Sequence, residues 1–200
     1  MIIIGLCGNS GSGKGTVAKF FSKYGVHSID ADAVYHDLTS AGAMLNQRIA
    51  ERFGTDVLNT DKSLNRKVLS EIVFSDGTGN LLKELNALTH SSVISETERR
   101  IKKLSQNGEK AVIFDAPLLF ESGFDKKCDY IITVTADPED KIKRIMQRDG
   151  IDYDKANARI NSQLSEQFLK ERSNYVIRNS GSLEDIDRQV KEILTKIIKM

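Results

Sequence analysis

The nine residues Gly8-Asn9-Ser10-Gly11-Ser12-Gly13-Lys14-Gly15-Thr16 follow the first apolar run and have the composition of a phosphate cradle. Glycines let such a backbone bend with its N–H groups turned inward, and a helix opening at the end of the loop adds partial positive charge where an anion sits. Lys14 is long enough to reach the outer phosphates of a nucleotide, while Gly8, Gly11, Ser12, Gly13, Gly15 and Thr16 line the cradle. The context is the one this chemistry needs, because Ile2–Cys7 reads as a strand and Val17, Ala18, Phe20 and Phe21 give an amphipathic helix. The residue after the lysine, usually a Ser or Thr that ligates magnesium, is Gly15 here. The ion is therefore expected to be held mainly by phosphates and water, with Thr16 a phosphate ligand or a magnesium ligand through water.

Ligands of a parallel sheet sit beyond the carboxyl ends of its strands, which singles out three carboxylates. Asp30-Ala31-Asp32 ends the second apolar run, and Asp115 follows Val112-Ile113-Phe114 at the third. Either Asp30 or Asp32 can simply cap the helix that follows. Phosphoryl transfer to a hydroxyl also needs a group that orients the acceptor and takes its proton, and Asp32 is the candidate for that base. Asp115 suits a carboxylate that holds a magnesium-bound water or the acceptor; the plain alternative is a turn or cap. His27, His36 and His90 lack zinc-ligand spacing, so surface or packing roles are expected for them, and Cys7 and Cys128 form no CxxC and are expected as small core residues.

The elements that must position these residues follow from pattern. Strands are expected at Ile2–Cys7, 26–29, 111–114, 130–134 and 175–177, where apolar runs stop at polar or Gly-rich turns. Runs without strict alternation fit strands covered on both faces, hence an α/β fold with a five-stranded parallel sheet sandwiched by helices. Asp137-Pro138-Glu139-Asp140 reads as a cap with proline at the first helical position, and Gly150 as the end of that helix. Ser182-Leu183-Glu184-Asp185 resembles a capping box opening the last amphipathic helix. Between the second and third strands the spacing is helical without a convincing strand, and an Arg-rich segment with a weak apolar face follows the fourth.

The resulting division is a nucleotide-binding core of residues 1–38, 108–143 and 173–200, a helical substrate-binding insertion of 39–107 and a helical lid of 144–172. In 200 residues with 40% hydrophobic content, a net charge of +1 supplies no field for nucleic acid or an anionic membrane. The first apolar stretch is too short for a membrane span and lacks a signal peptide's flanks, so a cytoplasmic location is expected.

The ordered set of motifs resembles the dephospho-CoA kinase family over almost the whole chain. It comprises the phosphate loop, Asp30-Ala31-Asp32 with His36, Leu64-Asn65-Arg66, Asp115-Ala116-Pro117-Leu118-Leu119-Phe120-Glu121, Gln147-Arg148-Asp149 with Arg159 and Gln163, and Asn179-Ser180-Gly181. The resemblance implies an ATP-dependent kinase of the P-loop type that uses Mg2+ and phosphorylates dephospho-CoA. It implies that Asp32 is the base, that Lys14 and the loop bind the ATP phosphates with Asn179 beside them, and that Arg144 and Arg148 are lid cations. It also implies that His36, Arg66, Asp115, Pro117, Leu118 and Glu121 contact the acceptor substrate. Gly15, Asn65 and Ser91 depart from the family's usual residues. A nucleoside monophosphate kinase would share the core and lid but not both carboxylate motifs. A GTPase switch would want Asn-Lys-x-Asp after a strand, which the sequence lacks.

Overall fold

The computed structural model describes residues 1–198. A five-stranded sheet has the order β2-β3-β1-β4-β5, with β1 (Ile2–Cys7) at its centre, β2 (His27–Asp30) and β5 (Tyr175–Arg178) at its edges, and β3 (Ala111–Asp115) and β4 (Tyr130–Thr135) between. The strands are parallel, with Ile4 paired to Ile113 on one side and Leu6 to Ile132 on the other. Four of the strands run one residue past the apolar run that marks them in the sequence, because main-chain pairing continues where the side chains turn polar: Leu6 pairs with Asp115 and Thr135 with Arg178. Only the interior strands are covered on both faces; β3 is buried throughout, whereas β5 buries only Ile177.

Contacts divide the chain into two compact units, Met1–Ile29 with Leu104–Met200, and Asp30–Lys103. The first is built on the sheet. Ile4, Leu6, Ile113, Ile132 and Val134 meet Val17, Ala18 and Phe21 of α1 (Lys14–Lys23) and Ile186, Val190, Ile193, Leu194 and Ile197 of α9 (Leu183–Ile198) in one core. Helix α9 opens on a reciprocal capping box: the Ser182 amide donates to Asp185 Oδ2 at 3.2 Å and the Asp185 amide to Ser182 Oγ at 3.2 Å. Leu183 sits at the first helical position and is exposed. Helices α6 (Pro138–Asp149) and α7 (Tyr153–Asn161) share a small core of Ile142, Ile145 and Ala156, and the short α8 (Glu166–Glu171) follows. Asp137 does not cap α6 with its side chain, against the sequence pattern, because Arg178 takes its carboxylate at 2.9 Å.

The second unit is helical, with α2 (Ala31–Leu38), α3 (Met44–Phe53), α4 (Arg66–Ser75) and most of α5 (Asn80–Gln106). Leu45, Ile49, Phe53, Val57, Leu64, Leu69 and Val73 form its core. Burying seven such side chains stabilises the unit by about 1.5–3 kcal/mol each relative to exposure. Asn46 ties the irregular segments down, its amide donating to the carbonyls of Ser40 and Lys62 at 2.8 and 3.1 Å.

Candidate active site

The phosphate loop spans the turn from β1 to α1, and its shape is held from outside. Gly13, at φ 86°, is the residue before α1, and a Cβ there would collide with the Asn179 side-chain amide. Gly11, at φ 77°, lies against the backbone of Lys141 in α6 with equally little room. Only glycine meets both demands, left-handed backbone and close approach.

The loop carbonyls are claimed by side chains from three places. Asn179 Nδ2 donates to Ser12 O at 2.8 Å, and Arg144 Nη1 donates to Gly11 O at 3.1 Å. Arg144 Nη2 donates to Asn179 O at 2.9 Å, closing a ring around the loop, and Lys14 Nζ donates to Gly8 O at 3.0 Å. In a trans peptide the C=O and the next N–H point in opposite directions. Holding Ser12 O on the Asn179 side therefore turns the Gly13 amide the other way, as an anion cradle requires. Ser12 Oγ is buried and has no hydrogen-bond partner among the described residues. The residue at Gly15 is exposed, and a Cβ there would have no atom within 4 Å.

Asp115 ends β3, buried, and Pro117, exposed Leu118 and exposed Glu121 continue from it. Gly8, Asn9, Pro117, Glu121, Gln163 and Leu164 together line one small cleft, so the loop and the 117–121 segment meet. Arg148, one turn beyond Arg144 on α6, has different partners: its fork holds Asp149 Oδ1 and Oδ2 at 2.8 and 2.9 Å, and Arg159 of α7 binds the same carboxylate. The Arg148 fork, joined by Arg159 charge, holds the Asp149 carboxyl below the usual range.

In the helical unit the two neighbouring carboxylates separate by role. Asp30 is the N-cap of α2, its Oδ1 accepting from the amides of Asp32 at 2.8 Å and Ala33 at 3.2 Å. Asp32 lies in the first turn, exposed, and His36 is four residues on along the same face. Arg66 opens α4 behind its cap Asn65, and its guanidinium lies 5.6 Å from the Tyr35 ring centroid, so α4 brings a cation beside the helix that carries Asp32 and His36. Arg100 bridges from α5 to Asp37 at 2.8 Å and fixes the other end of α2.

Three contributors lie outside the set expected to act: Tyr35, which seats Arg66; Asp149, which gathers two arginines; and Gln163, which contacts the phosphate loop. Asp149 and Gln163 belong to the motif set; the partners of Asp149 are near it in sequence, on α6 and α7, whereas the partner of Gln163 is an amide 153 residues away.

The comparisons agree in direction. The dephospho-CoA kinase family model matches residues 2–185. A dephospho-CoA kinase of Lactobacillus johnsonii is 37% identical over 194 residues, 97% of this chain and 97% of that protein. A crystal structure from Thermus thermophilus has a TM-score of 0.79 at 32% identity, covering 98% of this chain and 97% of that one. The structure of the dephospho-CoA kinase of Campylobacter jejuni has a TM-score of 0.71 at 27% identity, covering 98% of this chain and 97% of that one. A phosphate loop on a parallel sheet, a family match over nearly the full length and relatives covered end to end lead to one conclusion: the chain belongs to the dephospho-CoA kinase family.

Proposed function

We propose that Lys14, the phosphate loop, Asp32 and the arginines of α6 divide among them the work of the family's reaction, transfer of the γ-phosphate of ATP to the ribose 3′-hydroxyl of dephospho-CoA. The observation that carries this assignment is the loop itself, with its Gly11 and Ser12 carbonyls held outward by Arg144 and Asn179. The Gly13 amide turned to the opposite side, with the first turn of α1, makes a site for the polyphosphate, while the Ser12 amide closes the loop on Asn9 O at 3.1 Å. The Ser12 hydroxyl, buried without a protein partner among the described residues, fits as a further donor to it.

Phosphoryl transfer asks a protein for position and charge rather than covalent chemistry. Lys14 follows the charge that builds on the transferring group and its bridging oxygen. Arg144 acts through the loop it holds, while Arg148 is the cation that turns to the polyphosphate. Asp32 orients the 3′-hydroxyl and takes its proton, while Asp30 serves the helix as its cap. His36 and Arg66, on and beside α2, contact the acceptor. Asp115, Pro117, Leu118 and Glu121 contact it from the end of β3.

Among the described residues, no group of three or more His, Cys, Asp or Glu side chains could hold a metal ion. The Thr16 hydroxyl and the Asp115 carboxylate are hard oxygen donors of the kind magnesium accepts alongside phosphate and water, so the residues present fit that ion. Bound there with ATP, magnesium supplies neutralisation of the phosphate charge. No described helix is long and apolar enough to cross a membrane. The test is a coupled ADP assay offering ATP and magnesium with dephospho-CoA or with AMP. Turnover of dephospho-CoA is expected; phosphorylation of AMP with none of dephospho-CoA would overturn the reading.

A further inference from the structure

The outer arm of the phosphate loop, Asn9 and Ser10, is held by neither α1 nor β1. Its polar groups are met by the turn between α7 and α8. The Ser10 amide donates to Gln163 Oε1 at 2.8 Å, and Asn9 Nδ2, on a residue only 5% exposed, donates to Leu164 O at 2.8 Å. The turn is itself anchored three residues beyond Gln163, where Lys141 Nζ, on a side chain 7% exposed, meets Glu166 Oε2 at 2.7 Å. Lys141 is also the residue whose backbone lies against Gly11. One side of the loop is thus pinned by Asn179 and Arg144, and the other by residues 163–166 working from the same stretch of α6.

We propose that Gln163 is a positioning residue for the phosphoryl-transfer reaction: its side-chain carbonyl holds the Asn9–Ser10 arm in the shape that accepts the nucleotide phosphates. Its effect passes through the Ser10 amide. The inference rests on the assignment of the loop to the ATP phosphates. The Ser12 amide is bonded inside the loop, to Asn9 O at 3.1 Å, but amides kept for a ligand are not available for such bonds, so much of the loop's backbone entropy must be offset by contacts on its outer face. At residues 11 and 12 those contacts are to carbonyls, but at residue 10 an amide needs an acceptor, and Gln163 provides it. A carboxylate would make the same bond while placing a negative charge beside the polyphosphate; a neutral amide avoids this.

The test reads the contact and its consequence separately. Gln163→Met keeps length and volume and removes the acceptor. In the nucleotide-free protein, amide hydrogen exchange at Ser10 should accelerate about tenfold or more, while the β1 amides of Ile4 and Leu6 keep their rates. In steady-state kinetics the KM for ATP should rise about tenfold, the equivalent of roughly 1.4 kcal/mol for one hydrogen bond, with the KM for dephospho-CoA and kcat little changed. Gln163→Glu restores the acceptor and should return Ser10 to slow exchange. Unchanged exchange at Ser10 in Gln163→Met would overturn the proposal. So would faster exchange with an unaltered KM for ATP, and so would a parallel loss in both KM values and kcat with a lowered melting temperature. Because the exchange measurement needs no nucleotide, it fails independently of the ATP assignment, which Lys14→Ala tests.

Discussion

Asp30 Oδ1 accepts a hydrogen bond from the amide of Asp32 at 2.8 Å, so one carboxylate of the pair caps the helix that presents the other. Sequence alone leaves either residue free to be the cap; the geometry assigns it to Asp30. Asn is about as good a cap as Asp, whereas Ala loses about 1 kcal/mol. Asp30→Asn should therefore keep its melting temperature within about a degree or two and Asp30→Ala should lower it by several degrees. Equal melting temperatures for Asp30→Ala and wild type would contradict the cap.

Lys14→Ala removes the loop cation that follows charge onto the transferring phosphate. Turnover should fall about a hundredfold or more, the usual cost of one such transition-state contact. Circular dichroism should show a folded protein. Wild-type turnover in that folded variant would refute the loop assignment.

Arg144 and Arg148 lie one turn apart, yet their partners differ, and so should their variants. Arg144 makes hydrogen bonds to the carbonyls of Gly11 and Asn179, and charged bonds of this kind contribute roughly 1.5–3 kcal/mol. Arg144→Gln should lower both the melting temperature and kcat/KM for ATP, the latter at least about tenfold. Arg148 holds a surface carboxylate in an ion pair that solvent screens, so Arg148→Gln should leave the melting temperature nearly unchanged while lowering kcat/KM. A large stability loss in Arg148→Gln with none in Arg144→Gln would reverse the assignment.

Acid should loosen the helical unit at an identifiable place. The Arg99 fork, with Arg100 adding to it and burial opposing both, lowers Glu96 from 4.5 to about 2. A folded-state value below the unfolded one means that Glu96 contributes stability above about pH 4.5 and loses it as pH falls towards 2. Arg100 also reaches Asp37 on α2, so the loss falls on the helix that carries Asp32. The melting-temperature gap between wild type and Glu96→Gln should shrink between pH 5 and pH 2. A gap constant across that window would contradict the account.

What was legible in the sequence was whatever depends on neighbours along the chain. The phosphate loop, the strand at Ile2–Cys7, the stop at Gly150 and the Ser182–Asp185 box all follow from local backbone demands. Choices made across the fold were not. Asp137 has every local feature of a side-chain cap, yet Arg178, 41 residues on, takes its carboxylate. Arg144 and Arg148 share a helix face, but β1 supplies a loop for one and the end of α6 a carboxylate for the other. Gln163 stands in a motif, but only the tertiary fold puts it 2.8 Å from an amide 153 residues earlier. Hydrogen-bond partners of long polar side chains are chosen after the core has packed, and pattern along the chain carries no record of that choice.

The measurement closest to the centre of the account is turnover of Asp32→Asn with saturating ATP, magnesium and dephospho-CoA, on a preparation whose melting temperature and dephospho-CoA affinity are also measured. An amide keeps the size of the side chain but takes a proton poorly from the 3′-hydroxyl. Turnover should fall about a hundredfold or more, with melting temperature and affinity close to wild type. Near-normal turnover in Asp32→Asn, above all beside a collapse in Asp30→Asn, would contradict the assignment of Asp32 as the base.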